Sequence, residues 1–151
     1  MTHYRREIET AARHFGLDPN LLEGLVLTES GGHADAFRHE PGYWKRYLAE
    51  NAEYKHENPR RVSSSYGLCQ VMLPTARELG FNGEPEMLFV PHVSLHFGAM
   101  NLSRLIRWAE GDISKALEAY NGGKGSVGSQ ATRNYAHKVL ASRDAVAKAR
   151  A

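Results

Sequence analysis

Cysteine is nearly missing from this chain: Cys69 is the only one in 151 residues. No intrachain disulfide can form, and no cysteine-based zinc site can be assembled. Its neighbours Leu68, Val71 and Met72 are apolar, which marks Cys69 as a small buried hydrophobe rather than a nucleophile. Long apolar runs are missing too, and none has the length of a membrane span. The opening Met1-Thr2-His3-Tyr4-Arg5-Arg6-Glu7 is polar and leads into no apolar signal-like stretch. Charge of one sign is scarce: 19 Lys and Arg face 17 Asp and Glu, a net +2. That surplus is too small to imply nucleic acid, and the pairs Arg5-Arg6, Lys45-Arg46 and Arg60-Arg61 are scattered like solvated charges. No Gly-rich phosphate loop follows a strand. His92 and His96 stand four apart, but no Glu follows His92 and no third ligand suggests itself. No metal and no other cofactor is expected.

What is present is helix after helix, in a chain the size of one domain. Ile8, Ala11, Ala12 and Phe15 form one stripe over residues 3–15, ending at Gly16. Asp18-Pro19 reads as N-cap and first helical residue of a helix that runs through Leu21, Leu22, Leu25 and Val26 to Glu29, where Gly31-Gly32 stop it. Pro41 opens a helix expected to reach about Tyr54, closed by the polar Asn58-Pro59-Arg60-Arg61. Ser63 to Gly67 reads as a loop or short strand, and Pro74 to Gly80 as a short helix. The longest helix is expected from Pro91, with Leu95, Ala99, Leu102, Ile106 and Ala109 on one face. Asp112 caps the next, which ends at Asn121-Gly122-Gly123, and a final helix from about Ala131 runs into an Ala-, Lys- and Arg-rich tail expected to fray. The expected fold class is mainly α, as a single compact helical domain over residues 1–151.

Glu29 stands out within this pattern. It falls in the last turn of its helix, where a carboxylate meets the unfavourable end of the helix dipole. Leu25 and Val26 lie four and three residues behind it, and Met72 and Tyr120 are further candidate walls. Most Glu residues at helix ends are simply solvated. In a partly apolar pocket, however, the same carboxyl would hold its proton near neutral pH and could act as a general acid.

Three segments in order carry a resemblance. They are Leu25-Val26-Leu27-Thr28-Glu29-Ser30-Gly31-Gly32, Tyr66-Gly67-Leu68-Cys69-Gln70-Val71-Met72-Leu73-Pro74-Thr75-Ala76, and Ala119-Tyr120-Asn121-Gly122-Gly123. Together with Leu88-Phe89-Val90-Pro91 and the later Tyr135 and Val139, they resemble the motifs of the soluble lytic transglycosylase family, relatives of goose-type lysozymes. The likeness runs from about Leu21 to Leu140. It implies an α+β lysozyme-like fold with a cleft for peptidoglycan glycan strands. It implies that Glu29 protonates the oxygen linking N-acetylmuramic acid to N-acetylglucosamine. As a carboxylate, Glu29 would then take the proton of the C6 hydroxyl, which closes on C1 as a 1,6-anhydro ring, with the N-acetyl group assisting at C1. Gln70, Tyr120 and Asn121 would line the cleft, with Tyr120 orienting Glu29 and Tyr135 supporting that wall. The bland readings are turn capping for Gln70 and core packing for both tyrosines. A monomer without stable membrane insertion is expected. It would be made in the cytoplasm and would reach the wall by phage holin release, virion delivery or a secretion system.

The chain also departs from the family's pattern. Glu29 and Gln70 lie 41 positions apart, roughly double the usual spacing, and the extra residues form an inserted segment near residues 37–62. Cys69 stands where Met is usual, Gly122 where Ala is usual and Ser94 where Asn is usual. The family's Ser before the Gly-Leu turn could be Ser63, Ser64 or Ser65. The insertion also brings Asp35, Glu40, Glu50, Glu53 and Glu57 between acid and cleft. A second carboxylate at water-bridging distance from Glu29 would instead give an inverting hydrolysis, a goose-type muramidase. A non-catalytic wall-binding protein on the same scaffold is the third reading. Tyr43, Trp44 and Tyr47 of the insertion are open to two roles, stacking on sugar rings or anchoring the segment to the body.

Overall fold

The computed structural model describes all residues, Met1–Ala151. In chain order the elements are α1 (Arg5–Phe15), α2 (Pro19–Ser30), β1 (Phe37–His39), α3 (Pro41–Tyr43, continuing as a π-turn over Trp44–Leu48) and α4 (Pro59–Val62). Then follow β2 (Ser64–Tyr66), β3 (Val71–Met72), α5 (Leu73–Glu78), α6 (Pro91–Trp108), α7 (Ile113–Gly122) and α8 (Gln130–Arg150). The architecture is helical with one small sheet, an α+β arrangement.

The centre is α2. Asp18 caps it, its Oδ1 accepting from the Asn20 N–H at 2.8 Å, and Pro19 occupies the first position, where no N–H is needed. Leu21, Leu22, Glu23, Gly24, Leu25 and Val26 are all buried, so the helix is covered on every side, as a core helix should be. It packs most extensively on α8, and Gly24 sets their separation. A β-carbon there would lie 2.8 Å from both the Val139 carbonyl oxygen and the Arg143 nitrogen. Around this pair α1 packs on α6, α6 on α7, and α7 on α8.

Two helix expectations need correction. The helix from Pro91 has 18 residues, whereas α8 has 21 and is the longest. The tail of α8 does not fray, because Arg150 is tied to α2. Its guanidinium donates to the Glu23 carboxylate at 3.1 Å, joined by Arg5 Nη1 at 2.9 Å and the Thr2 N–H at 2.8 Å. Burial pushes the Glu23 carboxyl up, but the hydrogen bonds from Arg150, Thr2 and Arg5 outweigh it and hold the group below its ordinary value.

The inserted segment also differs from expectation. The helix opened by Pro41 does not reach Tyr54; it widens into the π-turn, closed by the Ala49 N–H on the Trp44 carbonyl at 2.8 Å. Asn51 then starts a separate turn, its Oδ1 accepting from the Glu53 N–H. That turn brings Tyr54 into the same buried core as Leu48, both nearly inaccessible. Asn58-Pro59, read as the polar close of that helix, starts a helical turn of its own, α4, since Asn58 Oδ1 caps Arg60 and Arg61.

The sheet has the order β1-β2-β3, antiparallel throughout. Only a strand or loop at Ser63–Gly67 was foreseen; β1 and β3 flank it. Arg38, Ser65 and Met72 are in register across the three strands, and so are Phe37, Tyr66 and Val71, so each trio shares a face. Gly67 follows at φ 75, where a β-carbon would meet the Leu88 carbonyl at 2.2 Å. Only glycine turns the chain there.

Candidate active site

The ends of several elements converge on one cleft of about 940 Å³. The last turn of α2 supplies Glu29, the sheet supplies Arg38, Ser65 and Met72, and the turn after Gly67 supplies Gln70. Tyr120 and Asn121 enter from the end of α7, while Asn101 and Arg104 come from α6. The polar residues in this cleft set it apart from a hollow of about 430 Å³ lined by Phe15, Leu21 and Ile106.

Glu29 receives one protein hydrogen bond, donated by the Tyr135 hydroxyl to Oε2 at 2.6 Å. Burial is the main influence on its acidity and pushes its pKa from an ordinary 4.5 up to about 7. The Tyr135 bond and the Arg38 charge pull the other way, and the Glu40 charge adds to the rise. A carboxyl so placed is half protonated near neutrality, which suits a group that must first give and then take a proton. Its position is held from behind: Ser30 Oγ donates to the Leu68 carbonyl at 2.8 Å, clamping the end of α2 to the Gly67 turn.

The two tyrosines have exchanged places relative to the sequence reading. Tyr120 was expected to orient Glu29, yet its hydroxyl donates to the Cys69 carbonyl at 2.7 Å. Tyr135 was expected in the supporting wall, yet it holds Glu29 from a buried position in α8. Burial pushes both phenols well above their ordinary pKa, so both stay protonated donors. The expectation failed because both residues sit at helical positions, and only the crossing of α7 and α8 decides which hydroxyl reaches the acid.

Gln70 lines the cleft and caps the turn as well. Its Nε2 donates to the Ala36 and Gly67 carbonyls at 3.1 and 3.0 Å, and its backbone holds φ 51, an uncommon conformation for a residue other than glycine. Asn121 is exposed on the cleft rim. Ser65 is the serine that faces the cleft; Ser63 and Ser64 turn their hydroxyls to the Pro59 and Arg60 carbonyls instead. Cys69 is buried, and burial, with the nearby Glu29 charge, pushes its thiol up and away from reactivity. Of the insertion's acids, Glu40 alone lines the cleft, paired with Arg38 at 3.2 Å. Glu57 instead pairs with Arg77 at 3.2 Å. Arg38, Asn101 and Arg104 were not singled out from the sequence, and Arg46, read there only as one of a pair of solvated charges, lines the cleft. Asn101 and Arg104 lie off the apolar stripe of α6, among positions the pattern alone reads as solvated.

Residues 6–141 match the family profile described as the transglycosylase SLT domain. The chain belongs to this family. A protein named transglycosylase, from Enterobacteria phage PRD1, is 31% identical over 137 residues, covering 88% of this chain and 40% of the phage protein. The SLT domain described here thus spans less than half of that relative. Among solved structures, an inactive mutant of the lytic transglycosylase Slt of Pseudomonas aeruginosa superposes with a TM-score of 0.69 at 22% identity. The 70 kDa soluble lytic transglycosylase SLT70 of Escherichia coli gives 0.69 at 17% identity. Each match covers 93% of this chain and 23% of the larger one. At these identities the likeness is one of fold, and it is the lysozyme-like α+β fold. Within it, segment 37–62 of this SLT domain contributes β1 and the π-turn to one side of the cleft.

Proposed function

We propose that this SLT domain is a peptidoglycan lytic transglycosylase that cleaves the glycan between N-acetylmuramic acid and N-acetylglucosamine with Glu29 as its acid and base. The observation that carries the reading is a carboxyl on the cleft whose pKa is raised to about 7, held by a phenol that cannot itself ionise at neutral pH. Family membership supports it, as does the inactive Slt relative, which carries a glutamate-to-glutamine change.

In the first step neutral Glu29 gives its proton to the glycosidic oxygen as the bond from that oxygen to C1 breaks and positive charge develops at C1. Tyr135 then donates to the newly formed carboxylate. In the second step the carboxylate removes the proton of the C6 hydroxyl, and O6 bonds to C1. The sugar leaves as its 1,6-anhydro form, Glu29 is neutral again, and no water is consumed. Gln70, Ser65 and Asn121 offer amide and hydroxyl groups to the strand along the cleft.

One observation favours a second reading. Glu40 lies in the same cleft and its charge raises the Glu29 pKa, so it could activate a water and make the reaction a hydrolysis. Its ion pair with Arg38 argues against a free base. Mass spectrometry of muropeptides released from purified sacculi separates the two. Anhydromuramic ends, one water lighter than reducing ends, are expected, and reducing ends alone would sink the transglycosylase reading. Absence of any release would favour the third reading, a wall-binding protein.

A further inference from the structure

The inserted segment meets the cleft through Tyr43 and Tyr47 while Trp44 packs against the core, so its aromatics divide between cleft and body. The wall carrying Tyr120, Asn121 and Tyr135 is held by a different kind of residue. Glu118 interrupts an apolar run of α7, between Ala116, Leu117 and Ala119, and all four are buried. A buried carboxylate is costly unless donors compensate it. Glu118 has no Lys or Arg within ion-pair distance. Its compensation comes from the start of α8. Oε1 accepts from the Gly128 N–H and from the Thr132 hydroxyl, each at 2.9 Å, at the positive end of that helix's dipole. The Ser126 carbonyl also lies 2.9 Å from Thr132 Oγ1, but the single hydroxyl proton favours the charged acceptor.

The helix α8 does not need this carboxylate in order to start. Ser129 caps it, accepting from the Thr132 N–H at 3.2 Å. What Glu118 adds is a tie between two helices. Glu118 and Gly122 stand four apart on α7, and both face Thr132. A β-carbon on Gly122 would lie 2.8 Å from Thr132 Cγ2 and 2.9 Å from Ser126 Cβ, so glycine stands, where Ala is usual, at the point where the helices close on each other. Thr132 lies one turn before Tyr135, and both are buried on one side of α8. A shift at Thr132 is therefore passed to the hydroxyl that holds Glu29. That bond, 2.6 Å long, does not survive a displacement of about 1 Å intact.

We propose that Glu118 is a positioning residue for the reaction, locking the start of α8 onto α7 through Thr132 and so keeping the Tyr135 hydroxyl on Glu29. Its kinetic consequence rests on the transglycosylase reading above, whereas the bond it preserves on Glu29 is measurable without turnover. Tyr120 and Asn121 follow Glu118 on α7, so one carboxylate spaces the residues of both helices around the acid.

Two variants separate positioning from bulk stability. Glu118→Gln keeps an oxygen that accepts from both donors, whereas Glu118→Ala removes it. NMR titration of the Glu29 carboxyl should show its midpoint rising by about one pH unit in Glu118→Ala, the scale of a hydrogen bond to a charged group. In Glu118→Gln the midpoint should stay in place. Muropeptide release from sacculi should fall about tenfold in the Ala variant, its alkaline limb moved to higher pH, and recover in the Gln variant. Adding Glu118→Ala to Tyr135→Phe should move the limb no further, because both act through one bond. A Glu118→Ala chain with lowered Tm but an unmoved midpoint and limb overturns the proposal, and so does an equal loss in the Gln and Ala variants. Should Glu118→Ala not fold, Thr132→Val removes the tie's hydroxyl and carries the same expectations. Failure of the underlying reading looks different: the wild type releases no anhydromuramic ends while the midpoint still moves.

Discussion

Replacing Glu29 by Gln should make the protein more stable, and only where the pH is high enough. In the unfolded chain the carboxyl ionises near 4.5, and in the folded one at about 7. Between these values the unfolded state has already released a proton that the folded state still holds, so stability falls as pH rises through the window. At about 1.4 kcal/mol per pH unit the full gap of about 2.5 units is worth about 3.5 kcal/mol. That loss is complete above the folded value and absent below the unfolded one. Gln is neutral throughout, has nearly the same shape, and can accept from the Tyr135 hydroxyl through its amide oxygen. The variant should therefore match wild type at about pH 4 and exceed it by about 3 kcal/mol at about pH 8. For a domain of this size that is roughly 5–10 °C in Tm. Thermal unfolding of both proteins across that range is the assay, with muropeptide release lost in the variant at every pH. A Tm difference that does not change with pH would refute the claim that Glu29 is buried and proton-retaining.

Three further outcomes follow from the same geometry. Tyr135→Phe removes the bond that pulls the Glu29 pKa down, so the alkaline limb of the rate profile on sacculi should move to higher pH while the maximal rate falls about tenfold. Gly24→Ala should drive α2 from α8 and cost about 2 kcal/mol, more than its gain in helix propensity; an unchanged Tm would contradict the close approach described. Glu23→Gln leaves two guanidinium groups without their carboxylate and should cost about 3 kcal/mol near neutrality. The Glu23 carboxyl is held below its ordinary value, so its contribution is present above that value and lost as pH falls through the folded one. The penalty of the substitution should accordingly shrink in acid, which urea unfolding at two pH values can read.

Helix starts and stops were largely legible because local chemistry sets them. Asp18-Pro19, Asp112 and the glycines at 16 and 31 each act within a few residues of themselves. What escaped the sequence depends on distant partners. The sheet needs Phe37 to meet Tyr66, and the last turn of α8 is held by a residue 127 positions earlier. The insertion misled because the pattern from Pro41 is helical, while the bend at Asn51 and the burial of Tyr54 answer to the core rather than to propensity. Glu29 and Gln70 were legible as candidates, and both reach one cleft. Which tyrosine touches Glu29 was not, since hydroxyl reach follows from how helices cross. The cleft-facing choice among Ser63, Ser64 and Ser65 likewise waits on the register of β2.

The meeting of Thr2, Arg5 and Arg150 on Glu23 has a topological consequence. The path of the backbone returns to where it set out, so the fold is nearly a closed ring fastened by one carboxylate. A few flexible residues between positions 150 and 2 would close that ring covalently, and the chain could then be cut at an exposed turn such as Glu110-Gly111. The cleft, built from the last turn of α2 onward, would keep its arrangement in such a permuted protein, with its order of helices rewritten and its geometry the same.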